Sequence, residues 1–227
     1  MKILVVGGSK GIGKAAVELL LEQGNEVIVA ARSNNDIRHL PIEFIEVDVT
    51  QDVSALDDLD DLNGLLFCPG SINLRPFHRL TASDFQTDFD LNVMGAVKVL
   101  QACRLALKAG NGSAVLFSTV AVQQGMPFHA SVAVAKGAIE GLTRALAAEW
   151  APDIRVNTIA PSLTDTPLAE SLLSNDKRRE GSEARHPLKR LGTPEDIASM
   201  AVHLLSKNGS WITGQVIGID GGMSRLR

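Results

Sequence analysis

Ile3-Leu-Val-Val-Gly-Gly-Ser-Lys-Gly-Ile-Gly13 is a short apolar run that breaks into a glycine-rich turn and then opens a helical pattern. A strand that feeds a helix through such a turn aims the free N–H groups of the helix at whatever lies above it, and a pyrophosphate suits that geometry. Glycines are needed where the chain turns tightly and where backbone meets phosphate closely. The spacing is Gly-x-x-x-Gly-x-Gly and differs from the ordinary Gly-x-Gly-x-x-Gly, so the turn by itself leaves a ligand-free bend open.

Outward from this turn, short apolar runs at 3–6, 27–30, 44–47, 65–67, 114–117, 155–159 and 215–219 read as strands. Helical spacing of apolar residues covers 12–22, 83–108, 131–150 and 194–206, the last opened by Thr193-Pro194-Glu195, a capping residue followed by proline at the first turn. Strands that alternate with helices and are apolar on both sides of the pleat belong in a parallel sheet buried between helical layers. The expectation is one α/β domain over residues 1–227, a doubly wound Rossmann-type sheet of about seven strands with helices on both faces. Residues 167–190 are polar and lack clear periodicity; they follow the sixth strand on the side where such sheets bind ligands, and read as a substrate lid.

Composition narrows the function. The 227 residues are 45% hydrophobic with a net charge of −4 and interspersed signs, which leaves no basic footprint for nucleic acid or a membrane surface. The opening apolar run is too short to span a bilayer and lacks the layout of a signal peptide, so a cytoplasmic location is expected. Cys68 and Cys103 form neither a framework nor a Cys-x-x-Cys pair, and no metal site is expected.

From Val6 to Gly13 the chain resembles the Thr-Gly-x-x-x-Gly-Ile-Gly loop of the classical short-chain dehydrogenase/reductase family, with only the threonine missing. The resemblance continues through Asp48-Val-Thr50, Leu91-Asn-Val-Met-Gly95, Ile154-Arg-Val-Asn157 with Pro161, Arg190-Leu-Gly-Thr-Pro-Glu-Asp-Ile-Ala198, and Ile212-Thr-Gly-Gln215 leading to Asp220-Gly-Gly222. It implies a nicotinamide dinucleotide held by Gly7, Ser9, Lys10, Gly11, Ile12 and Gly13, with Asp48 and Val49 at the adenine, Gly70 and Pro161 along the cofactor, Thr166 at the nicotinamide amide and Lys136 at the ribose. A carboxylate ending the second strand would take both ribose hydroxyls of NAD; that position is Ala31, followed by Arg32 and Ser33. Arg32, Ser33 and Lys10 suit a 2′-phosphate, so NADP(H) is the expected cofactor.

Two departures matter. The family's Asn-Asn-Ala-Gly is Phe67-Cys-Pro-Gly70 here, and its Pro-Gly near the nicotinamide is Pro161-Ser162. A third is larger: the family's Tyr-x-x-x-Lys is Val132-Ala-Val-Ala-Lys136, in a chain with no tyrosine at all. The resemblance implies a catalytic set of Asn92, Thr119 and Lys136 that lacks its acid. Lys136 through a water, His129 one turn before Val132, or an acidic group on the substrate could supply the proton. The resulting expectation is an NADP(H)-dependent oxidoreductase of a small carbonyl or alcohol with a proton donor other than tyrosine. Its alternative is a catalytically silent NADP(H)-binding sensor, scaffold or companion subunit. The resemblance also implies a homodimer or homotetramer paired through the long helices, with Gly95, Ala96, Gly137 and Ala138 permitting close approach.

Overall fold

The computed structural model describes residues 1–226. Seven parallel strands run β1 (Lys2–Val6), β2 (Glu26–Ala31), β3 (Glu43–Glu46), β4 (Gly64–Phe67), β5 (Ser113–Phe117), β6 (Arg155–Pro161) and β7 (Val216–Ile219) along the chain, and lie in the order β3-β2-β1-β4-β5-β6-β7. Alternation along β1 supplies both faces. Leu4 and Val6 join one core with Leu65, Phe67, Leu116 and Val156, whereas Ile3 and Val5 join another with Val29, Leu66, Val115 and Ile159. Helices α1 (Gly11–Glu22) and α7 (Pro194–Leu205) cover the second core, contributing Val17, Leu20, Ile197 and Leu205. Each such side chain, fully buried, is worth about 1.5–3 kcal/mol. α7 starts at a capping box in which Thr193 and Asp196 exchange hydrogen bonds with each other's backbone.

On the first face lie α2 (Ala82–Phe89), α3 (Gly95–Ala109) and α5 (Ala130–Trp150). The single helix expected over 83–108 is divided by a π-helical turn, Asp90–Met94. Apolar spacing does not register this turn because the widened backbone leaves Val93 and Ala96 still facing the core. Gly95 and Ala96 are thereby corrected as interface residues: a Cβ on Gly95 would stand 2.9 Å from Val49 Cγ2, and Ala96 is fully buried. Both face the sheet. The outward apolar residues of these helices are instead Met94, Leu105 and Val134.

Residues 167–190 are more regular than their polarity suggests. A 3-10 helix, Pro167–Leu173, is followed by α6 (Asp176–Arg185), whose Asn175 side chain accepts the Arg178 N–H. A short helix α4 (Ala121–Gln124) also follows β5. The motif around Asn157 ties the sheet's last two strands together: its Nδ2 donates to Ile212 O at 2.8 Å and its Oδ1 accepts the Gln215 N–H at 3.1 Å. No described helix is long and apolar enough to cross a membrane.

Because β2 and β4 flank β1, the chain leaves β1's neighbourhood in opposite directions, opening a crevice at the carboxyl ends of the strands. The glycine turn sits there, and its packing leaves no room: a Cβ on Gly13 would be 2.4 Å from Gly7 O. Gly13→Ala is expected to lower the unfolding free energy by about 1–3 kcal/mol, read from the urea midpoint, because overpacking against backbone outweighs alanine's better helix propensity.

Candidate active site

Gly7 and Gly11, with φ of +74° and +51°, turn the chain from β1 into α1. Lys10 precedes the helix without capping it by its side chain, and its first turn holds no acidic residue. The first amides of α1 therefore remain available to an anion, reinforced by the positive end of the helix dipole. Thr166 closes over this turn; a Cβ on Gly11 would meet its Cβ and Cγ2 at 3.4 Å.

A cleft of about 1040 Å³ runs from here across the sheet's carboxyl edge. Its walls include Gly7, Ser9, Lys10, Gly11, Ile12, Gly13, Arg32, Ser33, Asp48, Val49, Gly70, Thr119, Lys136, Pro161 and Thr166. All of the sequence-derived candidates except Asn92 thus share one continuous surface. At the β2 end, Arg32 has no carboxylate within ion-pair distance among the described residues, while Lys10 lies 3.7 Å from Asp36. Asp48 accepts the Thr50 hydroxyl at 2.7 Å and the Thr50 N–H at 2.9 Å, and these bonds, aided by Arg32, hold its carboxyl below the ordinary range. The open glycine turn, an unpaired guanidinium and a long cleft fit a dinucleotide with an additional anionic group.

At the β5 end, Lys136 is 7% exposed, and burial pushes its ammonium down to about 8 against the opposing pull of Cys68 and Asp88. A Cβ on Gly70 would lie 3.6 Å from Lys136 Nζ and 3.7 Å from Asn92 Oδ1, so the glycine opens the space between these two groups. Asn92 lies behind the cleft wall, fully buried. Its Nδ2 donates to Asp88 O at 2.7 Å and Ser71 Oγ at 3.0 Å, which mends the backbone at the π turn. Ser71 donates to Asp88 Oδ1 at 2.6 Å. Asn92 Oδ1, Asp88 Oδ2 and Ser131 Oγ are buried without protein partners. Such atoms are ordinarily satisfied by bound water.

Cys68 stands close enough to Lys136 for each to influence the other's protonation, and burial pushes its thiol up to about 12. Val132 is 6% exposed and lines the cleft beside Lys136 and Thr119. His129 stands half-buried at the N-terminus of α5, its Nδ1 2.7 Å from Pro127 O. That carbonyl can only accept, so Nδ1 donates and Nε2 is left free.

Sequence reading did not find two features. Asp88 precedes Asn92 by one helical turn, a spacing that could have signalled a shared face. The second is His186, 1% exposed, whose Nε2 is 2.9 Å from Ser162 Oγ and whose Nδ1 is 2.9 Å from Ser182 O. Ser162, Ser182 and His186 all line the cleft. Ser162 and His186 are 24 positions apart, and no local pattern announces their contact.

A family model described as enoyl-(acyl carrier protein) reductase matches residues 6–224. A tropinone reductase homolog of Datura stramonium is 34% identical over 98% of this chain and 91% of its own length. Among solved structures, a short-chain type dehydrogenase/reductase from Mycobacterium ulcerans is 31% identical with a TM-score of 0.90, covering 100% of this chain and 90% of that one. ElxO with NADP bound is 26% identical with a TM-score of 0.89 over 98% of both chains. With the glycine turn, the switch-point cleft and near-complete coverage in agreement, this chain belongs to the short-chain dehydrogenase/reductase family of oxidoreductases.

Proposed function

We propose that this protein is an NADP(H)-dependent oxidoreductase that interconverts a small carbonyl compound and its alcohol, with a proton donor other than tyrosine. The observation that carries the reading is the single cleft joining the glycine turn and Arg32 to Thr119 and Lys136. Arg32 and Ser33, with Lys10 released from Asp36, would hold the 2′-phosphate, and ElxO, which binds NADP, shares the fold over nearly its full length. Asp48 and Val49 would border the adenine, the first turn of α1 the pyrophosphate, Lys136 the nicotinamide ribose, and Pro161 and Thr166 the nicotinamide. The bound cofactor supplies hydride chemistry; the protein must orient the carbonyl and exchange the proton.

Thr119 retains a hydroxyl able to donate to a carbonyl oxygen, whereas Val132 can neither donate nor accept. Asn92 would present its unpaired Oδ1 to a water beside Lys136, serving as a relay behind the cleft. Residues 167–190 would form a lid over the substrate, with Leu168 and Leu172 as apolar contacts. A silent cofactor-binding role is favoured by one observation, the buried apolar Val132 beside Lys136. The cytoplasmic location and a paired-helix oligomer remain part of the proposal, the latter through Gly137 and Ala138 together with the exposed Met94, Leu105 and Val134.

Fluorescence titration is expected to show NADPH binding more tightly than NADH by at least tenfold, and Lys10→Ala with Arg32→Ala to remove most of that preference. Equal affinities would overturn the assignment to NADP(H).

Lys136 gives a second expectation. Below pH 8 both folded and unfolded chains carry its charge, and folding bears the full cost of burying it. As pH rises from about 8 toward 10.5 the folded protein releases the proton first, so the cost disappears. Lys136→Met should therefore stabilise the cofactor-free protein by about 3 kcal/mol at pH 7, with the gain vanishing above pH ~10.5, while weakening NADPH binding. Urea unfolding across pH measures the first effect, and titration the second.

A further inference from the structure

We propose that Ser162, backed by His186, is the group that exchanges the substrate proton in this cleft. The assignment rests on the oxidoreductase reading above. Ser182 O can only accept, so neutral His186 must carry its proton on Nδ1 and present the lone pair of Nε2 to Ser162. At 2.9 Å, Ser162 Oγ then donates to Nε2, leaving its own lone pairs for an incoming hydroxyl. A hydroxyl joined to an imidazole that is itself oriented by a third group has the arrangement by which proteins move protons through serine. The imidazole is 1% exposed, which fixes its ring and separates it from bulk water.

Position supports the role. Phe117 pairs with Ile159 in the sheet, and just past the end of β5 the Val120 N–H donates to the carbonyl of Pro161, the last residue of β6, at 3.2 Å. Thr119 and Ser162 immediately flank that bond, so the hydroxyl suited to holding a carbonyl and the hydroxyl joined to an imidazole occupy neighbouring positions on the cleft wall. The two departures from the family pattern are complementary: an acid is missing at Val132, and a proton-bearing side chain appears at Ser162, where the family has glycine. His129, half-buried on the cleft wall, is less suited, because its ring's one hydrogen-bond partner among the described residues is the Pro127 carbonyl and no hydroxyl is joined to it.

The step balances in both directions. In oxidation the alcohol O–H proton would pass to Ser162 Oγ while the Ser162 proton passes to His186 Nε2, and a bound oxidised nicotinamide would supply the acceptor for the hydride released from the carbinol carbon. The carbonyl product would leave a His186 imidazolium, whose proton returns through Ser162 to water in the cleft once the product departs. In reduction the imidazolium returns its proton through Ser162 to the carbonyl oxygen. The Asp220 carboxylate lies close enough to feel a charge on His186, and the Asp220-Gly221 segment packs on its ring, with a Cβ on Gly221 falling 3.7 Å from Cδ2.

The test follows deuterium transfer from C4-deuterated NADPH to 2,3-butanedione and 4-nitrobenzaldehyde by mass spectrometry, with NADPH affinity measured in parallel. Ser162→Ala and His186→Ala are expected to lower kcat by about 10²- to 10⁴-fold, with KM and NADPH affinity within about threefold of wild type. Added imidazole is expected to restore His186→Ala at least tenfold, an effect a purely structural histidine would not show. Should His186→Ala fail to fold, His186→Gln decides, since its amide keeps a hydrogen bond to Ser162 and cannot take up a proton. Wild-type kcat in Ser162→Ala and in either His186 variant, or loss confined to His129→Ala, overturns this assignment and leaves the oxidoreductase reading standing. No transfer above the protein-free background in the wild type with either compound overturns both.

Discussion

The close approach of Gly13 to the Gly7 carbonyl is the constraint on which the cleft depends. With a hydrogen in place of Cβ, α1 can start directly above the end of β1, and its free amides face the crevice between the two halves of the sheet. Gly8 is also closely packed, though less severely, since a Cβ there would stand 3.0 Å from the Val5, Val17 and Val29 side chains. The same residues therefore set both the packing of the first helix and the site at its end. Proteins of this architecture place ligands where strand order reverses because the connections diverge there, and here that place is also where the glycines bring backbone closest.

Much of this was legible in the sequence. Buried parallel strands must be apolar on both faces, so Ile3 to Val6 and Ala114 to Phe117 announce themselves without alternation, and the glycine spacing fixes where the first strand ends. The limits have physical causes. The π turn at Asp90–Met94 adds backbone without disturbing which residues face inward, so periodicity sees one helix where there are two joined by a wide turn. α6 is polar around its circumference and yields no periodic signal; its start depends on one cap, Asn175. Gly95 looked like an outward contact because small residues permit close approach in either direction, and only the packing of Val49 against it decides which.

The candidate site was legible for residues that act through local motifs and hidden for those that act through contacts. Lys10, Arg32, Asp48 and Lys136 each sit at a strand end or on a helix whose register the sequence already determines. Ser162 and His186 meet only because the chain after β6 folds back through a 3-10 helix and α6 to bury an imidazole against the loop it left. The substitution at 162 was visible as an oddity, and its meaning required the partner.

Proton chemistry ties these observations together. A lysine ammonium buried beside an apolar valine is costly, and the cost is tolerated where its charge serves a ligand. Around Lys136 the polar atoms Asn92 Oδ1 and Asp88 Oδ2 lack protein partners, whereas around His186 both ring nitrogens are satisfied. The first arrangement leaves polar atoms for water or a ligand to satisfy; the second is satisfied within the protein, and the proposed proton exchange through Ser162 would use its hydrogen bond. On the proposed assignment the cleft binds through Lys136 and exchanges protons through Ser162 and His186, while Val132, buried on the same wall, can neither donate nor accept a proton.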